Sequence, residues 1–135
     1  MTAGRYDQAE ILVALWKLGA RSEMMPTSHG ILDRALAAMK DQLPDELSTL
    51  TFGTTGVGLR SFELPDILLA AQEAMLTSEP NPTYLATLVT LTEDQAAEIA
   101  IEHGLSVRDA QTLGSELRKK VDDLKVEGWR SKAVA

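Results

Sequence analysis

The chain contains no cysteine, so disulfides, thiolate metal sites and cysteine nucleophiles are excluded. Histidine is almost as scarce. His29 and His103 are the two present, too few for a multi-histidine zinc site. Aromatic residues make up 4% of the chain, with two each of Phe, Tyr and Trp, so a core must be built from Leu, Ile, Val, Ala and Met. No apolar run approaches the roughly 20 residues that a membrane-spanning helix needs, and no membrane partner is expected. The opening MTAGRYDQAE lacks the basic-then-apolar layout of a signal peptide, which makes a cytoplasmic location the default expectation. Basic residues are missing from a long stretch: between Ser61 and Gly104 there is no Lys or Arg.

What is present reads as a single domain spanning residues 1–135. Apolar residues reach 44% and charged residues 24%, a globular composition. The net charge of −7 is unevenly spread. The acids of the middle are Glu63, Asp66, Glu73, Glu79, Glu93, Asp94, Glu98 and Glu102, and the segment from Leu105 onward is slightly basic. Such a distribution suits ordinary solvated helix faces, or an acidic docking surface joined to a weakly basic one.

Helical spacing of Ile11, Leu12, Leu15, Trp16 and Leu18 predicts a first helix over residues 7–18, stopped at Gly19. A polar loop, Arg21–Pro26, follows. Thr27 or Ser28 is placed to cap a second helix whose apolar face carries Ile31, Leu32, Ala35, Leu36 and Met39. Beyond Pro44 the character changes. Thr49–Phe52, the turn-like Gly53–Gly56 and Val57–Leu59 suggest a small β-hairpin near residues 49–60. Pro65 fits the start of a third helix bearing Ile67, Leu68, Ala71 and Met75. Ser78–Pro82 is the clearest break, dividing a part at 1–78 from one at 83–130. Residues 84–91 suit either a strand or a short buried helix. Thr92 and Gln95 form a capping box for a helix that ends near His103 and Gly104. Ser106 signals the start of a long final helix.

No catalytic constellation emerges, and the expectation is a non-enzymatic binding protein without cofactor or metal. The glycines of residues 53–58 are followed by Leu59-Arg60 rather than the Lys and hydroxyl of a phosphate loop. They read as turn glycines. His29 and His103 each fall near a helix end, where histidines commonly cap or face water. Asp94, Glu98 and Glu102 stand one turn apart, a spacing common on surface helices.

The strongest local signal runs from Gln95 to Leu117. A helix-turn-helix needs two helices meeting at a sharp turn with small and apolar residues between them. Ala100 supplies the small residue four before Gly104, while Ile99, Leu105, Ala110, Leu113 and Leu117 supply inner faces. His103 departs from the pattern, since an apolar residue is usual there. In such a unit the second helix presents Arg108, Asp109, Gln111, Thr112 and Ser115 outward, toward double-stranded DNA, with Arg and Gln able to make bidentate base contacts. Arg118, Lys119, Lys120 and Lys125 are placed for phosphates. The competing reading is an acidic adaptor, touching protein through Glu93, Asp94 and Glu98. Val121 and Leu124 extend the apolar stripe beyond the helix-turn-helix and suggest a homodimer contact.

Ala96 to Leu113 resembles the stretch of ParB-type partition proteins that ends in a Gly-Leu-Ser-Val-Arg segment, here Gly104–Arg108. Leu64-Pro65 is similar to the Leu-Pro that follows the recognition helix in that family, so the resemblance spans Leu64 to Leu113 at most. It implies a helical DNA-binding region. Gln111 stands where the family usually has Glu, and the arginine-containing nucleotide-binding box is absent, so nucleotide binding is not implied. A hairpin after helices, then an apolar strand ending at Leu91-Thr92, also resembles some winged-helix proteins. The expected fold is mainly α: a compact helical domain with a helix-turn-helix-like unit and the small hairpin. The expected function is that of a DNA-associated accessory or regulatory protein, with an adaptor or assembly component of the phage or plasmid type as the alternative.

Overall fold

Residues 9 to 16 of the first helix are buried apart from Glu10. Ala9, Ile11, Leu12, Val13, Ala14, Leu15 and Trp16 each expose 1% or less, and the glutamate among them, Glu10, is half-buried. A helix that is apolar all round belongs inside the core rather than on its surface. In the computed structural model this helix, α1 (Arg5–Ala20), is the axis of the fold, packed by α3 (Asp45–Ser48), α4 (Leu64–Glu73), α5 (Glu93–Glu102) and α6 (Val107–Val134). The structure describes residues 4–20, 24–27, 30–56, 58–78 and 86–134, with backbone course alone for residues 20 and 125–134. Among them it is mostly helical with two small antiparallel sheets, which agrees with the mainly α expectation.

The helices on either side of the hairpin are held by specific polar contacts. α2 (Ile31–Ala38) starts after Gly30, which lies in the left-handed region at φ 67 and offers no side-chain cap. The expected cap at Thr27 is therefore replaced, and Ser28 lies outside the described residues. Asp33 is buried, and its carboxylate accepts from the Ser61 amide at 2.7 Å, tying α2 to the hairpin. The hairpin pairs β2 (Phe52–Thr55) with β3 (Gly58–Ser61), from Phe52 opposite Ser61 to Thr55 opposite Gly58. Val57, between the two strands in the sequence, lies outside the described residues. Of the β-like run Thr49–Phe52, Thr49 has a helical backbone, while the Thr51 carbonyl accepts from the Phe62 amide beside the first pair of the hairpin. Residues 45–48 form a helical turn behind Pro44, and the strand starts at Phe52.

Glu63 joins the hairpin to α4. Its carboxylate accepts from the Thr51 amide at 2.7 Å and from the Thr51 hydroxyl at 2.5 Å. α4 ends in a Schellman turn, with the Leu76 amide on the Ala71 carbonyl and the Met75 amide on the Gln72 carbonyl. The residue that must turn left-handed there is Met75, at φ 63 and 82% exposed.

A three-stranded antiparallel sheet, ordered β1-β5-β4, was not anticipated as a whole. β5 (Ala86–Val89) settles the ambiguous run 84–91 as strand over its described part. It is flanked by β1 (Met24–Pro26) and β4 (Thr77–Ser78), with Met24 opposite Leu88 and Thr77 opposite Val89. β1 lies where a polar loop was expected, with Met25 fully buried. Its Pro26 is tolerated because β1 is an edge strand. Residues 79–85, including the Pro80–Pro82 break, and Arg21 to Glu23 lie outside the described residues.

Candidate functional site

α5 and α6 are joined by residues 103–106 through a Schellman turn. The Leu105 amide donates to the Ala100 carbonyl and the Gly104 amide to the Ile101 carbonyl, with Gly104 at φ 81. Both helix starts are capped as the sequence indicates. Thr92 accepts from the Gln95 amide and Gln95 accepts from the Thr92 amide, completing the capping box. The Ser106 hydroxyl accepts from the Asp109 amide at 3.0 Å. Between the helices Ala96, Ala100, Ala110 and Leu117 are fully buried. Leu113, expected to be largely buried, is half-buried at the edge of the core, as is Leu68 on α4.

The outward face of α6 carries Arg108, Gln111, Thr112, Ser115, Lys119 and Lys120, all exposed. Along it runs a groove of about 550 Å³, bounded on its other side by Leu18 and Gly19 at the end of α1. Arg108, Gln111, Thr112, Ser115, Glu116 and Lys119 line it, so five of the residues singled out for DNA share one surface. Two of those five are already engaged. The Thr112 hydroxyl donates to the Arg108 carbonyl at 3.0 Å, and the Ser115 hydroxyl donates to the Gly19 carbonyl at 3.2 Å, bracing α1 against α6. The other three, Arg108, Gln111 and Lys119, stand in the groove together with the exposed acid Glu116. Arg118 is placed differently from the phosphate contact expected of it. Its guanidinium lies 5.7 Å from the Trp16 ring centre and its Nε is 3.1 Å from an Asp122 carboxylate oxygen. The Lys125 side chain lies outside the described residues.

The acidic residues Glu93, Asp94 and Glu98 are exposed on α5, and Ile101, 62% exposed, stands one turn beyond Glu98. Val121 corrects the argument for a homodimer contact. It is fully buried within its own chain, and Leu124 is half-buried against the same core. The stripe that was to need a partner is covered within the chain, where α6 packs against α1 and α2.

The chain matches no family model, no curated protein and no solved structure.

The site therefore rests on geometry, and the sequence alone left two parts of it unseen. The wall formed by Leu18 and Gly19 comes from residues about a hundred positions away, a pairing that no local pattern encodes. His103, expected to cap or to face water, is the C-cap residue of α5, and its side chain is held among other side chains rather than in water. Its Nδ1 lies 3.1 Å from a Glu46 carboxylate oxygen, and its side chain is 12% exposed.

Proposed function

We infer that this protein is a non-enzymatic DNA-associated accessory or regulatory protein that reads duplex DNA with the outer face of α6. The observation that carries this reading is the groove in which Arg108, Gln111 and Lys119 stand together on one exposed helix face. Arg and Gln supply the paired donors and acceptors that recognise guanine and adenine edges in a major groove. Lys119 and Lys120, two to three turns further along, suit phosphate contacts that fix register without reading sequence. The Schellman turn and the capped starts of α5 and α6 make the helix pair rigid enough to present that face, in the manner of a helix-turn-helix.

The test is fluorescence anisotropy with a labelled duplex over a salt titration. Binding strong at low salt and falling steeply as salt rises is the expected result. Lys119→Ala should weaken binding to all duplexes alike and reduce the salt slope by about 1. Arg108→Ala should cost about 1–3 kcal/mol on a preferred sequence and relax the preference. A folded protein that binds no duplex at low salt ends this reading.

A second reading is favoured by one specific feature. Ile101 is a large apolar side chain left exposed on a helix that also exposes Glu93, Asp94 and Glu98. An acidic rim around an apolar anchor suits docking to a basic protein partner. Under that reading Arg108→Ala and Lys119→Ala leave partner binding unchanged. Charge reversal at Glu93, Asp94 and Glu98 slows association instead.

A further inference from the structure

We propose that Asp7, Glu10 and His103 form a binding site for a divalent transition-metal ion, with Glu46 orienting the histidine. One ligand atom from each of the three residues lies within 4.8 Å of the other two. They come from two elements that are far apart in the chain. Asp7 and Glu10 stand one turn apart on α1, and His103 is the C-cap residue of α5. Bonds of about 2.0–2.2 Å to a tetrahedral ion set ligand atoms roughly 3.3–3.5 Å apart.

Two further observations point the same way. His103 holds Glu46 through Nδ1, at 3.1 Å, which leaves Nε2 as the nitrogen for an ion. A carboxylate on the far nitrogen of a ligating histidine is the usual outer partner in metal sites, fixing the ring and raising its basicity. Meanwhile neither Asp7 nor Glu10 has a hydrogen bond or an ion pair with Lys or Arg among the described residues, although Glu10 is half-buried. Three carboxylates thus surround one imidazole with no basic side chain paired to them, and a dication supplies the missing positive charge. One imidazole nitrogen with carboxylate oxygens suits Zn²⁺, Mn²⁺ or Fe²⁺ and discriminates against Ca²⁺ and Mg²⁺, which prefer all-oxygen sites. The site would tie the start of α1 to the end of α5, beside the turn that leads into α6.

Calorimetric titration of the full chain with ZnCl₂ near neutral pH tests this, with thermal unfolding as a second readout. One equivalent should bind, and the melting temperature should rise with added Zn²⁺, because an ion that binds only the native state stabilises it. His103→Ala should lower the affinity at least tenfold and remove the thermal shift. Glu46→Gln should weaken binding about 10–100-fold, as the loss of an outer partner does. His29→Ala, which removes the one other histidine, should change nothing. Asp7→Asn and Glu10→Gln keep the test decisive if His103→Ala does not fold, since neither carboxylate has a structural partner to lose. Zn²⁺ binding that is equally tight in the His103, Asp7 and Glu10 variants overturns the proposal. So does a wild-type chain that binds no Zn²⁺ at roughly 0.1 mM, a level far above that of a built site. Mg²⁺ bound as tightly as Zn²⁺ also overturns it, since the imidazole then plays no part.

Discussion

Gly114→Ala sets two effects of opposite sign against each other. Replacing a glycine inside a helix by alanine stabilises the helix by about 1 kcal/mol when nothing else intervenes. Here something does. A Cβ on Gly114 would run into the Leu15 carbonyl oxygen and stand 2.8 Å from the Gly19 Cα. Gly19 has the mirror problem, since its Cβ would meet the backbone of Gly114 and Ser115. Every obstructing atom is backbone, so no change of rotamer makes room and α1 must move off α6. Overpacking of this kind costs about 1–3 kcal/mol, and parting the helices also loosens the contacts around Trp16 and Leu117. With the propensity gain subtracted, a net loss of about 1 kcal/mol is expected, a fall in melting temperature of roughly 3–5 °C for a chain this size. Thermal unfolding followed by far-UV circular dichroism measures it. Gly104→Ala serves as the comparison: φ there is 81 with open space around the missing Cβ, so backbone strain alone acts, at about 1 kcal/mol. A Gly114→Ala protein as stable as wild type, or more so, would refute the backbone-to-backbone contact between α1 and α6.

Four other expectations follow from the same structure. Leu117→Ala, at a fully buried position, should cost about 2–5 kcal/mol, and Leu113→Ala distinctly less because it is half-buried; equal losses in chemical denaturation would mean the inner face of α6 is wrongly placed. Thr92→Ala removes the acceptor of the Gln95 amide and should cost about 1 kcal/mol, checked by its denaturation midpoint. Met75→Gly should instead stabilise, by about 1 kcal/mol, since a left-handed residue gains from losing its Cβ and the exposed side chain gives up little packing; a lower melting temperature would contradict this. Burial pushes the Glu63 carboxyl up, but its bonds from the Thr51 hydroxyl and amide, its own backbone amide and nearby Arg5 outweigh that and hold it below the ordinary value of 4.5. A depressed folded-state value means stability that is present above pH 4.5 and lost as pH falls through the lower folded value, so Glu63→Gln should flatten that acid limb of the melting curve.

The elements with a period or a cap were legible from residues alone. α1, the α5–α6 pair and the hairpin all follow from helical spacing, the Thr92–Gln95 box or the glycine turn. The three-stranded sheet was not, because strands of two and three residues are too short to show alternation. Met24 and Met25 read as loop until β5 is present to pair with them. Periodicity also gave α1 a single apolar face, whereas its small residues Ala9, Val13 and Ala14 are buried too, because four other helices close around it. The candidate site was half visible. Arg108, Gln111 and Lys119 share a face by helical geometry, but Glu46 beside His103 and Gly19 beside Ser115 are meetings of distant segments. Val121 was misjudged for the same reason, since only the packed fold shows it buried.

The central position of α1 has a consequence during synthesis. The helix, apolar over most of its length, leaves the ribosome before its principal neighbour α6; Gly19 and Ser115, which touch in the finished protein, are 96 residues apart. At about 5–20 residues per second, α1 waits roughly 5–20 seconds for the segment that covers it. During that interval its apolar surface is open to chaperones or to the same segment on a neighbouring nascent chain. The axis of the finished fold is thus the segment most exposed to misassembly while the chain is being made.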